Sequence, residues 1–452
     1  MHINRAAFGE DFNWGVSTAA YQIEGGHDAD GKGASIWDEF TKKRKKILGS
    51  HHGDEACDFY NRYPEDIRLL EDLHIPNYRF SISWSRIFPE GTGRVNQAGV
   101  DYYNRLIDAC LSHGIQPWIT LYHWDLPIAL EKKGGWTNRE ILGWFGSYVA
   151  FCINEFGDRV KRWMILNEPI VFTGAGYFLG IHAPGKKGLT NFLSATHHAA
   201  LCQAEGGRIS KSLRPDLLIG TTFSYSHLEP FRQNERDYLA VRKTDALLNR
   251  LFIEPLLGLG YPIQDLKILQ SLERFYKDGD SAKLAFDMDF VGLQNYTREF
   301  VRHAPFMPFI KAKIIKAEKR GVETTQMGWE IYPKAIYHAL TRWSLYKNLK
   351  EIIVTENGAA FEDQSFKGNV QDEKRLNYIK DHITQVLAAK QAGVPVNGYF
   401  VWTLMDNFEW AEGYYPKFGL VHINFETQER IIKASGKWYA SFLESKALAN
   451  IL

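Results

Sequence analysis

The chain has 452 residues, 54 Lys plus Arg against 53 Asp plus Glu, and 45% hydrophobic with 24% charged residues, the composition of a soluble globular protein with a large core. A formal charge of +1 supplies no basic field for nucleic acid or anionic lipid, and no run of about 18 apolar residues is present to span a membrane. The start MHINRAAFGEDFNWG has no signal-peptide core, and Cys57, Cys110, Cys152 and Cys202 form no C-x-x-C pair, so a cytoplasmic chain with reduced thiols is expected.

In chain order, short apolar or β-branched runs read as strands: FNWGVS from Phe12, YRFSIS from Tyr78, PWITLYH from Pro117, RWMILNE from Arg162, LLIGTTFS from Leu217, DFVGLQNY from Asp289, EIIVTEN from Glu351 and VNGYFVWTL from Val396. Helical periodicity appears between them. Val100, Tyr103, Ile107, Cys110 and Leu111 form one face that stops at Gly114, and Leu376, Ile379, Ile383 and Leu387 another that stops by Gly393. Thr137 and Glu140 are spaced as a capping box opening a third helix. The basic run Lys42 to Lys46 falls in a long loop after the first strand and reads as solvated.

Eight strands alternating with helices, most apolar on both faces, predict a parallel sheet, and their number predicts closure into an α/β (β/α)8 TIM barrel with elongated βα loops. An open doubly wound sheet is the alternative. Without a linker or repeat, residues 1–452 read as one catalytic domain. The Gly26 to Gly33 segment misses a phosphate-binding loop at its last position, and the pairs His51-His52 and His197-His198 lack metal-ligand spacing.

In such a barrel the residues ending each strand converge on one face. Here they are Gln22, Arg79, His123-Trp124, Asn167-Glu168, Asn295-Tyr296, Glu356-Asn357 and Trp402, with Glu409 and Trp410 close behind. Glu168 and Glu356 each follow an apolar run that buries its base, and a pair of carboxylates is what glycoside hydrolysis needs. Trp124, Trp402 and Trp410 can stack on a sugar ring and donate an indole N–H, while Gln22, His123 and Asn167 suit a polyol. A lone glutamate after a strand can equally be a helix N-terminal charge; the two together with aromatics and amides favour chemistry.

At these residues the chain resembles the β-glucosidase family, glycoside hydrolase family 1. FNWGVSTAAYQIEGG, YRFSISWSRIFPEG, TLYHWDLP, LNEP, VTENG and TLMDNFEWAEGY carry the resemblance, which spans residues 8 to 440. It implies that Glu168 is the general acid/base and Glu356 the nucleophile of a retaining, cofactor-free and metal-free hydrolase acting on small β-glycosides. It also implies that Gln22, His123, Trp124, Asn167, Glu409 and Trp410 hold the sugar hydroxyls, that Trp402 stacks beneath the ring, and that Trp329 lines the aglycone side. A cis peptide at Trp402-Thr403 is implied as well. Ser85 and Thr297 depart from the family pattern, and Pro416 and Phe418 stand where members acting on 6-phosphosugars carry Lys and Tyr. Glu168 argues against the plant thioglucosidases, which have Gln there. Arg79, Asn295 and Tyr296 are expected to support an ionised Glu356, whose charge raises the pKa of Glu168. A non-catalytic sugar-binding protein and a transglycosylase are the competing classes, and glucosides, galactosides and fucosides are all candidate substrates.

Overall fold

The computed structural model describes residues 3–366 and 368–445, and in it all eight apolar runs are strands of one closed parallel barrel. In chain order they are β1 (Asn13–Ser17), β2 (Asn77–Ser81), β3 (Gln116–Tyr122), β4 (Arg162–Asn167), β5 (Leu218–Ser224), β6 (Phe290–Gln294), β7 (Ile352–Asn357) and β8 (Val396–Trp402). Consecutive strands pair, and β1 closes the ring on β8 with Gly15 opposite Phe400. Parallel neighbours need a crossover. It is helical after every strand: α1 (Phe59–Asp72), α2 (Gln97–Ser112), α3 (Ile141–Phe156), α4 (Leu189–Leu213), α5 (Glu235–Asp245), α6 (Lys334–Trp343), α7 (Glu373–Gln391) and α8 (Ala434–Glu444). The interior covers one face of each strand and the helices the other, which is why the strands are near-continuous apolar runs.

The expected helix faces turn inward. α2 buries Val100, Tyr103, Ile107 and Cys110 and stops before Gly114, whose φ of 70° suits glycine. α7 buries Ile379 and Ile383, with Leu376 and Leu387 half-buried. The capping box at Thr137 and Glu140 is not formed. Thr137 closes a short 3-10 turn by donating to the Gly134 carbonyl at 2.7 Å, and α3 begins only at Ile141. The Asn138 side chain accepts from the Glu140 amide at 3.0 Å in the turn before α3, which itself starts without a side-chain cap. A true capping box joins Ser35 and Asp38.

Trp118, Met164, Phe290, Ile353 and Phe400 pack as a buried cluster that forms the barrel floor. A Cβ on Gly15 would stand 2.4 Å from the Phe400 ring, so glycine is what lets β8 bring that ring to the axis. Each such side chain contributes about 1.5–3 kcal/mol by burial. At the other end, His227–Pro230, Arg298–His303 and Ala312–Ile315 form a small sheet from the loops after β5 and β6. All four cysteines are unpaired and buried. Among the described residues no helix is long and apolar enough to cross a membrane.

Candidate active site

Where the strands end, polar groups replace the apolar floor. Glu168 follows β4 and Glu356 lies near the end of β7, and both line a cavity of about 300 Å³ with His123, Trp124, Tyr296 and Trp329. Trp402, Glu409 and Trp410 complete the wall. Gln22, Arg79, Asn167 and Asn295 stand behind it.

The two carboxyls are treated unequally. Arg79, buried on β2, donates from Nη1 to Glu356 Oε1 at 2.5 Å, and the Tyr296 hydroxyl donates to Glu356 Oε2 at 2.7 Å. Burial raises the Glu356 pKa, while the Arg79 charge and the hydrogen bonds from Tyr296 and Arg79 pull it back. Burial pushes Glu168 well above the carboxylate range, and the Glu356 charge pushes it further, against smaller pulls from Ser224 and Arg79. The first proton of the pair therefore rests on Glu168. Burial, then the Glu356 charge, keeps the Tyr296 phenol protonated and donating.

A chain of amides orients the rest. Asn167 Oδ1 accepts from Arg79 Nη2 at 2.6 Å, Gln294 Nε2 at 2.8 Å and Thr222 Oγ1 at 2.9 Å, which turns its Nδ2 toward His123 Nε2 at 3.0 Å. Burial and the Arg79 charge keep His123 neutral. Accepting at Nε2 leaves the ring proton on Nδ1, a buried atom without a partner among the described residues. Gln22 Nε2 donates to Asn407 Oδ1 at 3.0 Å, the Phe408 carbonyl at 2.9 Å and Glu409 Oε2 at 3.3 Å. Its amide N–H groups thus hold the Glu409 loop, and Oε1 has no partner among the described residues. Burial and the Glu356 charge push Glu409 up to about 8, against hydrogen bonds from Gln22 and Trp402.

The aromatic wall is continuous. Trp410 packs 4.6 Å from Trp124 and 4.7 Å from Trp37, and His123 stacks on Trp402 at 6.0 Å. Trp124 cannot offer its indole N–H as expected, because that group already donates to the Asn167 carbonyl at 2.9 Å. Its ring faces the cavity. Trp329 lies 5.2 Å from Tyr296 and 6.1 Å from Phe418 on the far side. Three wall residues, Trp124 (φ 76°), Glu168 (φ 44°) and Trp410 (φ 48°), hold left-handed backbone. Such conformations cost about 1–3 kcal/mol each and persist where the surroundings over-determine them. Here the Glu168 amide donates to the Thr222 carbonyl at 3.0 Å. The Trp402-Thr403 peptide is cis, as the resemblance implied. A Cβ on Gly358 would stand 1.8 Å from the Trp402 carbonyl, so the two strand ends approach because residue 358 has no side chain.

Asn295 is a correction. Its Nδ2 donates to the Tyr225 and Thr297 carbonyls at 2.9 and 3.1 Å, not to Glu356. Both residues lie just past the end of β6, where the Tyr296 hydroxyl reaches the carboxylate and the Asn295 amide ties the loop. Sequence reasoning passed over Thr222, Gln294, Ser224 and His182. Thr222 lies inside β5 and Gln294 is the last residue of β6, and both are hidden in apolar runs. His182 lines the cavity, with burial lowering its pKa to about 4; the IHAPG loop bears no signal for it. Among the described residues, Asp363, Asp406 and His422 are grouped closely enough to hold a metal ion. The Lys433 ammonium already lies 2.6 Å from Asp363 and 2.7 Å from Asp406, making this a buried ion-pair network.

Residues 4–448 match the family model described as glycosyl hydrolase family 1. The chain is 45% identical over 451 residues to β-glucosidase A of Thermotoga maritima, covering 99% of this chain and 100% of the relative. It is 44% identical to the 1,4-β-D-glucan glucohydrolase of Thermotoga neapolitana over 98% of this chain and 99% of the relative. A solved structure of the Thermotoga maritima β-glucosidase in complex with galacto-hydroximolactam superposes with a TM-score of 0.91 at 43% identity, over 97% of this chain and 98% of that one.

Proposed function

The chain belongs to glycosyl hydrolase family 1, and from that premise we propose that it is a retaining β-glucosidase whose nucleophile is Glu356 and whose acid/base is Glu168. The observation that carries the assignment is the asymmetry of the pair: Arg79 and Tyr296 both donate to Glu356, while burial and the Glu356 charge protonate Glu168. Glu356 attacks the anomeric carbon, the bond to the departing oxygen breaks, and Glu168 gives that oxygen its proton. The ester formed on Glu356 is neutral. Loss of that charge lowers the Glu168 pKa, so Glu168 becomes the base that takes a proton from water as it attacks the same carbon and frees Glu356.

Trp402 lies beneath the sugar ring. Glu409, Trp410 and His123 Nδ1 meet its hydroxyls; Gln22 and Asn167 act from behind them and with the atoms they keep free. The Glu409 carboxyl, which can both accept and donate hydrogen bonds, meets hydroxyls at C4 and C6 in either configuration, which supports galactosides and fucosides beside glucosides. The galacto-configured ligand of the Thermotoga maritima structure supports the same breadth. The name of the Thermotoga neapolitana relative supports short β-1,4-glucans as substrates. Phosphorylated glycones are disfavoured, because Phe418, Glu409 and Glu412 line the cavity and the Lys417 ammonium lies 4.5 Å over the Phe425 ring. Four buried, unpaired thiols support a reducing, cytoplasmic setting. The whole chain acts as one catalytic unit.

Nitrophenol release from aryl β-D-glucoside, β-D-galactoside, β-D-fucoside and 6-phospho-β-glucoside tests this reading. Turnover of the unphosphorylated sugars is expected. Activity on the phosphorylated sugar alone would overturn the glycone assignment, and a folded protein inactive on all four would overturn the reaction class.

A further inference from the structure

Three loops at the mouth of the barrel, residues 42–50 after β1, 179–187 after β4 and 305–316 after β6, contain no acidic residue. They form one rim. Lys43 donates to the Pro184 carbonyl at 3.2 Å and Lys46 to the Gly180 carbonyl at 2.9 Å, and Leu179 lines an apolar cavity of about 500 Å³ together with Met307, Phe309 and Ile314. Half of the large apolar side chains exposed among the described residues stand on these loops, with Leu48 and Ile181 on one side and Phe306, 98% exposed, on the other. Cations stand between them. Arg44, Lys45, Lys187, Lys311, Lys313 and Lys316 are exposed and have no carboxylate partner among the described residues, whereas Lys42 and Lys186 are held by Glu39 and Glu131. The overall charge of the chain is only +1, so this is a local excess. The hollow beneath Arg44, Lys45 and Lys46 shares Ala411 and Glu412 with the catalytic cavity, and Glu412 is its one carboxylate among the described residues. The basic rim therefore borders the opening of the site.

We propose that this rim docks the mouth of the barrel on an anionic lipid surface, with Phe306 and its apolar neighbours in the interface and the lysines on the headgroup phosphates. Surface association of this kind combines exposed aromatic and aliphatic side chains with long cations that reach the headgroups. A nucleic acid would take the cations and leave Phe306 in water. A second copy docked rim to rim would set like charges against each other. Lysine on an edge strand deters strand pairing, and Ala312–Ile315 is the edge of its small sheet, but an exposed phenylalanine beside those lysines works against that purpose. Binding of this kind does not depend on which sugar the site cleaves.

Co-sedimentation of the full chain with lipid vesicles tests this, using phosphatidylcholine alone and an equal mixture of phosphatidylcholine and phosphatidylglycerol at low salt. Binding to the mixture is expected to exceed binding to phosphatidylcholine by tenfold or more, on the order of fivefold for each cation that reaches the surface. It is expected to weaken as salt is added, because screening limits the reach of exposed charges to about 10 Å at 0.1 M. The double variant Arg44→Glu, Lys45→Glu is expected to lose about 25-fold or more in partitioning, and Phe306→Ser, Phe309→Ser on the order of tenfold. All four positions are exposed, so each variant is expected to keep the wild-type melting temperature, which reports its fold. Equal or absent sedimentation with both vesicles would overturn the proposal. Binding lost in the charge variant but unchanged in the phenylalanine variant would overturn it in favour of a soluble polyanion. A dimer that Phe306→Ser disperses, with no vesicle binding, would overturn it in favour of a second copy of the chain.

Discussion

At the floor of the barrel, Trp118, Met164, Phe290, Ile353 and Phe400 close the interior with carbon. A few residues further along β4, β6 and β7, Asn167, Gln294 and Glu356 close it with charge and amides, joined by hydrogen bonds to one another and to Arg79 of β2. The floor satisfies every local preference: apolar runs, burial and close aromatic packing. The mouth violates several, with five carboxyls lining one cavity, polar atoms on Gln22 and His123 that have no partner among the described residues, and left-handed backbone at Trp124, Glu168 and Trp410. One end thus holds the strands rigidly enough for the other to keep groups that would not associate on their own.

The contrast can be broken from either end. Replacing the nucleophile, Glu356→Ala, is expected to lower kcat on nitrophenyl glucoside by on the order of 10⁵-fold. The melting temperature should stay near or above wild type, because Arg79 loses a partner but a buried carboxylate is removed. At the floor the effect reverses. Phe400→Ala is expected to lose about 3–5 kcal/mol of stability in denaturant titration, while kcat of the folded fraction holds.

Glu168→Ala sharpens the mouth further. Hydrolysis of an alkyl glucoside is expected to fall by about 10²–10⁴-fold, and that of dinitrophenyl glucoside, whose leaving group needs little protonation, far less at the first step. Equal losses on both would remove Glu168 from the acid role. The smallest expected change is in pH dependence. Tyr296→Phe removes a hydrogen bond that lowers the Glu356 pKa. That pKa rises, so the acid limb of kcat/KM moves to higher pH by about one unit. A limb that stays in place would mean that Tyr296 does not tune the nucleophile.

The same contrast explains what was legible. Every strand could be read because double-sided burial writes an apolar run into the sequence, and the residues ending the runs marked the cavity. The misreadings lie where side-chain direction or turn geometry decides. Asn295 and Tyr296 are adjacent, yet only Tyr296 faces Glu356. Thr137 carried the capping spacing, but glycines at 134 and 135 with φ of 108° and 54° turn the chain there, and α3 starts later. Thr222 and Gln294 remained hidden because they act one position inside the barrel, where the pattern shows only strand. A long loop runs from Pro305 to Gly321. It folds partly as the strand Ala312–Ile315, and its Met307 and Ile310 wall the apolar cavity.

The central claim is that Glu356 and Glu168 work by double displacement. The most direct test is proton NMR of the first sugar released from nitrophenyl β-D-glucoside, read before mutarotation. The account predicts β-glucose as the first-formed anomer, the product of two inversions at C1. First-formed α-glucose would mean a single displacement by water, and would contradict the assignment of Glu356 as nucleophile.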